Sequence, residues 1–120
     1  MSAMKHYMKL NPIPFNSIRS GKKTIELRLY DEKRRLVKIG DEIEFTNLSN
    51  NEEKITVSVV DLHKFDSFKS LYENLPLNRC GYDENDVAMA SYKDMLAYYS
   101  EDEQKNYGVV GIEIRLLKSR

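Results

Sequence analysis

From Thr24 to Tyr30 polar and apolar residues alternate strictly. Ile25, Leu27 and Leu29 fall on one side and Thr24, Glu26 and Arg28 on the other, which predicts a strand with two unlike faces. Residues 7–10 read as a short strand before it. Between the two, Asn11 and Pro12 open a helix over residues 12–20, with Phe15 and Ile18 three apart on its inner face. Gly21 stands where a helix end takes a left-handed residue. Residues 31–40 form a charged excursion. Residues 41–46 and 54–62 predict a hairpin, with Ile43 and Phe45 opposite Ile55, Val57 and Val59, joined through the Asn- and Ser-rich stretch 47–53. Helical period follows. Phe68, Leu71, Tyr72 and Leu75 make one stripe, capped by Asp66 or Ser67, and Ala88, Tyr92, Met95, Leu96 and Tyr99 make a second, ending at Ser100. Ser100 and Glu103 have capping-box spacing, so a short helix runs to about residue 106 before Gly108 stops it. Residues 109–117 predict a closing strand with Ile112, Ile114 and Leu116 inward.

Five strands and three or four helices in mixed order predict an α+β fold built on a small antiparallel or mixed β-barrel. The 120 residues suit one domain over residues 1–120. Charge is balanced overall, with 19 Lys and Arg against 19 Asp and Glu, but not locally. Between Arg19 and Lys38 eight basic residues face only Glu26, Asp31 and Glu32. Between Asp83 and Asn106 seven acids face only Lys93 and Lys105. A basic face of this kind can bind an anion or a short nucleic-acid strand even on a neutral chain; the plainer alternative is a solvated loop.

One cysteine, Cys80, excludes an internal disulfide, and with only His6 and His63 beside it a four-ligand zinc site is out of reach. No metal or cofactor is expected. Cys80 has no histidine near it in sequence to make it a nucleophile. No stretch approaches the roughly 18 apolar residues of a spanning helix, and the N-terminus has no apolar run of signal-peptide length. The expectation is a cytoplasmic protein without a membrane partner, a monomer or weak dimer.

The candidate chemistry gathers at residues 21–28. Strand parity puts Thr24, Glu26 and Arg28 on the face away from Ile25 and Leu27, with Glu26 and Arg28 roughly 6.5 Å apart, near enough to pair or to share a ligand. Lys23, just after the Gly21 break, is free to swing to either side. Arg offers a planar fork for phosphate, carboxylate or a base edge, Lys a point charge, and Glu an acceptor for an amine. Roofed by the 12–20 helix and its Phe15, such a face would line a ligand cleft. Failing that, it is an exposed face with a surface ion pair. Several tyrosines, among them Tyr92, Tyr98, Tyr99 and Tyr107, could stack on bases, although most of them serve packing.

Gly21, Lys23, Glu26 and Arg28 together spell G-x-K-x-x-E-x-R. With Leu10, Phe15 and Ile18 before it, Gly40–Ile43 after it and the terminal Tyr107–Ile112, the chain resembles small stand-alone bacterial proteins of the ASCH (activating signal cointegrator homology) family, in the PUA-like superfamily. The resemblance implies a β-barrel with a cleft that binds RNA or a nucleotide-like ligand through Lys23, Glu26, Arg28 and Phe15. Some relatives act as hydrolases, on modified nucleosides or as weak ribonucleases on RNA, and for one branch, similar to the N4-acetylcytidine amidohydrolases, the catalytic lysine matches Lys23. That branch has its threonine where this chain has Glu26. Thr24 is the only hydroxyl within the motif, and Glu73 is the nearest carboxylate for a third member. An enzyme here would therefore use Lys23, Thr24 and Glu26.

Overall fold

The computed structural model describes residues 3–119. Five strands form one sheet in the order β1-β3-β4-β5-β2, comprising β1 (Lys5–Leu10), β2 (Ile25–Leu29), β3 (Glu42–Asn47), β4 (Asn50–Phe65) and β5 (Val109–Ser119). β1 pairs with β3 in parallel and every other pairing is antiparallel, so the sheet is mixed and curls into a half-barrel. Helix α1 (Pro12–Arg19) covers the inside of the curl, α2 (Glu32–Arg35) interrupts the charged excursion, and α3 (Phe68–Asn74) and α4 (Glu101–Tyr107) flank the far side.

Most capping signals act as expected, although Asn11 holds the first cap position without a side-chain bond to the helix. Pro12 opens α1, Gly21 follows it at φ +85°, Ser67 rather than Asp66 caps α3, and Ser100 and Glu103 exchange both capping-box bonds at α4. The hairpin turn is tighter than expected. The Asn47 side chain accepts the Ser49 amide, so the backbone reverses at Leu48–Ser49 and Asn50 pairs with Asn47, leaving residues 51–53 as a bulge before Lys54 pairs with Thr46.

The stripe from Ala88 to Tyr99 does not form one α-helix. It breaks into 3-10 helices at Val87–Met89 and Tyr92–Ala97, separated by extended Ala90. Ser91 and Asp94 form their own capping box, and that restarts the chain midway through the stripe. Leu116 keeps the inward parity, opposite Val57, but is 38 % exposed, because β5 runs past the core there, and the β4–β5 pairing slips just beyond it at Leu117.

Two apolar clusters result. The inner one, inside the curl and under α1, includes Phe15, Ile18, Phe45, Val57, Val110 and Ile112. The outer one packs Ile25, Leu27 and Leu29 against Phe68 and Leu71 of α3 and Met95. Opposed residues of paired strands share a face, so Glu26 opposite Ile112 and Arg28 opposite Val110 look into the curl, while the leucines look out. β2 is thus covered on both faces, and its charged face is an interior one.

Candidate functional site

β1 and β2 are the two edges of the curled sheet, and the gap between them is spanned by a side chain. Arg28 donates from Nη2 to the Lys9 carbonyl oxygen of β1 at 3.0 Å. Its Nε donates to Glu26 Oε2 at 2.7 Å, and Lys23 Nζ lies 2.7 Å from Glu26 Oε1. One carboxylate, 3 % exposed, is therefore held between two cations. Burial favours the neutral acid, but Lys23 and Arg28 outweigh it and hold the Glu26 pKa below its ordinary 4.5. Burial likewise works against the Arg28 charge, and Glu26 and Tyr99 more than restore it, leaving its pKa raised.

These residues floor a cavity of about 400 Å³. One wall is α1, through Ile13, Pro14 and Ser17; the other carries Tyr72, Tyr82, Tyr98 and Tyr99 with Met95. The tyrosine wall is ordered by a hydrogen-bond chain in which Tyr72 Oη and Tyr82 Oη lie 2.7 Å apart and Tyr82 donates to Asp94 Oδ2 at 2.7 Å. Burial pushes the Tyr72 phenol up to about 12, and burial with the bonds to Tyr72 and Asp94 raises Tyr82 further, so both remain neutral hydroxyls. Gly81, at φ +114°, brings its backbone against Lys23: a Cβ built there would sit 3.5 Å from Lys23 Cδ.

Lys23, Glu26 and Arg28 come together as their spacing suggested, whereas Thr24 and Phe15 do not join them. β2 starts at Ile25, so strand parity does not extend back to Thr24; its hydroxyl accepts from Arg79 Nε at 2.8 Å and lies outside the cavity lining. Phe15 is 0 % exposed in the inner core because the inward face of α1 carries it past the cavity, and its neighbours Ile13, Pro14 and Ser17 line the cavity instead. Glu73 is exposed on α3 and lines no part of the cavity. Cys80 does reach the lining, but burial pushes its thiol up to about 11 despite Lys23 and Arg79. A thiol is a nucleophile as its thiolate, so Cys80 is held in the unreactive form.

Sequence reasoning also missed a cluster at the β4–β5 pairing. The register sets Asp61 opposite Glu113, and His63 Nε2 lies 2.9 Å from Glu113 Oε1; the donor atoms of all three residues lie within 4.8 Å of one another. Three such donors could hold a divalent ion, but Arg79 already sits 3.3 Å from Glu113 and supplies positive charge there.

The profile of the ASCH domain matches residues 8–118, nearly the whole chain. The chain belongs to the ASCH domain family. Among solved structures this ASCH chain is similar to the hypothetical protein PH0355, at 34% identity over 95% of this chain and 100% of that one, with a TM-score of 0.79. It is also similar to protein PF0455 from Pyrococcus furiosus, at 33% identity over 96% and 99% of the two chains, with a TM-score of 0.70. The ASCH protein from Zymomonas mobilis shares the fold at 16% identity, over 96% of this chain and 71% of that one, with a TM-score of 0.64. No curated protein matches the chain. Among the described residues no helix is long and apolar enough to cross a membrane.

The depressed Glu26 pKa makes a prediction about acid stability in this ASCH domain. A carboxylate whose pKa is lower folded than unfolded contributes stability above the unfolded value and loses it as pH falls through the folded one. Wild-type stability, measured by urea melts, should fall between about pH 5 and pH 3 with a slope that Glu26→Gln reduces by up to about 1.4 kcal/mol per pH unit. The remaining slope belongs to Asp41 and Glu113, whose pKa values are also lowered. Parallel slopes for the two proteins would refute the assignment.

Proposed function

We propose that this ASCH domain is a binding module that takes RNA or a nucleotide-like ligand in the cavity between β1 and β2. The observation that carries the reading is the shared-carboxylate triad beneath a tyrosine wall. Glu26 and the Lys9 carbonyl fix the Arg28 fork through Nε and Nη2 and Tyr99 bonds it from the cavity wall, which holds the guanidinium in place for a phosphate or a base edge, with Lys23 as a second cation. Tyr98, 64 % exposed on the cavity wall, offers an aromatic face for stacking. At the far end Asp94 and the phenols supply acceptors for an exocyclic amine or a ribose hydroxyl. A volume of about 400 Å³ suits one nucleotide unit.

Binding is favoured over hydrolysis because the motif hydroxyl, Thr24, lies outside the cavity and Cys80 is kept as a thiol. The test is titration with UMP and with a uridylate octamer at low salt. Arg28→Lys keeps a positive charge beside Glu26 but loses the fork, and Tyr98→Ala loses the stacking face. Each should weaken binding by about tenfold, on the order of a single charge-assisted bond or base stack. Unchanged binding in both variants, or no binding by the wild type, would overturn the reading. Turnover of N4-acetylcytidine abolished by Lys23→Ala would replace it with an amidohydrolase.

A further inference from the structure

Beyond the end of β2 lies a second groove, of about 590 Å³, where Tyr30, Arg35, Lys64 and Lys105 meet. An aromatic face, not carboxylates, organises its cations. The Arg35 guanidinium carbon is 4.4 Å and Lys64 Nζ 5.1 Å from the centroid of the Tyr30 ring, and Arg35 Nη2 donates to the Tyr107 carbonyl at 2.9 Å. Among the described residues no carboxylate lies within ion-pair distance of Arg35, Lys64 or Lys105, and all three are exposed. Asp66 is the lone acid on the lining. A shallow groove with three uncompensated cations is matched to an anion that stays partly in water, as a phosphodiester does.

The groove is not remote from the triad. Arg28 and Tyr30 are two residues apart, roughly 6.5 Å along the chain, a gap that successive phosphates of an extended single strand can bridge. Lys33 of α2 lies close enough to Arg28 and Lys9 to feel their charges. Burial and the charges of Arg34, Arg28 and Lys9 lower its pKa against the opposing pull of Asp31, the mark of crowded positive charge beside the cavity mouth.

We propose that this groove is a second phosphate subsite, so that the ligand of the cavity is a single RNA strand several nucleotides long and not a free mononucleotide. The proposal rests on the nucleotide reading of the cavity. It is tested with the full chain carrying Lys64→Ala and Lys105→Ala together, substitutions at exposed, unpaired positions, with the uridylate octamer and UMP as probes. Affinity for the octamer should fall about tenfold and its salt slope by about 1.4, at roughly 0.7 per single-strand phosphate contact, while UMP binding stays unchanged. Unaltered octamer binding would overturn the proposal, as would equal losses for octamer and UMP. Loss of both probes in Arg28→Lys, beside an unaltered octamer affinity in the groove variant, would leave the cavity reading intact and remove only the groove. Octamer binding that needs Lys64 and Lys105 but not Arg28 would overturn the cavity reading and the paired subsites with it.

Discussion

Glu26→Ala should cost this domain about 3 kcal/mol or more, because it strands two largely buried cations at once. The Lys23 side chain is 10% and the Arg28 side chain 13% exposed, and both face the carboxylate being removed. Against a total stability of roughly 5–15 kcal/mol, such a loss should lower Tm on the order of 10 °C. Breaking a buried pair and replacing it are different experiments. Glu26→Met with Arg28→Met leaves only Lys23 to find water at the cavity mouth, so the double variant should recover part of the stability that Glu26→Ala loses. Thermal unfolding followed by circular dichroism reads both. A loss below about 1 kcal/mol for Glu26→Ala would place the triad among surface ion pairs, which contribute little.

Strand parity is local, and that is why so much of this site was legible. Alternation over residues 25–29 sorts Glu26 and Arg28 from Ile25, Leu27 and Leu29 without any knowledge of the neighbours, and the sheet register agrees with that sorting. Applied one residue before the strand begins, the same rule misplaced Thr24. What local pattern cannot reach is closure. Arg28 bonds the Lys9 carbonyl across the gap between the sheet edges, a contact set by the whole curl and not by either segment. The acceptor end of the cavity has the same origin, since Tyr72, Tyr82 and Asp94 join by hydrogen bonds across loops that periodicity reads only as packing. Tyr92, Met95 and Tyr99, spaced three and four apart, fit a 3.6-residue repeat better than a 3.0-residue one, so the pattern gave no warning of 3-10 geometry. His63 looked isolated because its partner Glu113 is fifty residues away in sequence and adjacent only through the β4–β5 register.

Phe15→Ala should unfold the domain more readily than it weakens any ligand, with an expected loss of about 3–5 kcal/mol. The ring is fully buried in the inner cluster with Met8, Leu10, Ile18 and Phe45, and the Arg19 guanidinium covers it at 5.4 Å from the ring centroid. Its removal leaves a hole beneath α1 that a sheet fixed by pairing on both sides of β3 cannot collapse to fill. Because Ile13, Pro14 and Ser17 of α1 form one cavity wall, a binding defect in Phe15→Ala would be ambiguous by itself. Phe15→Leu resolves it: a leucine keeps most of the apolar volume, costs less stability, and leaves α1 seated. If Phe15 acts only by packing, Phe15→Leu should bind UMP within about twofold of wild type while its urea midpoint drops. A tenfold loss of UMP affinity at an unchanged midpoint would instead make the ring part of the binding site, reached by an opening of α1.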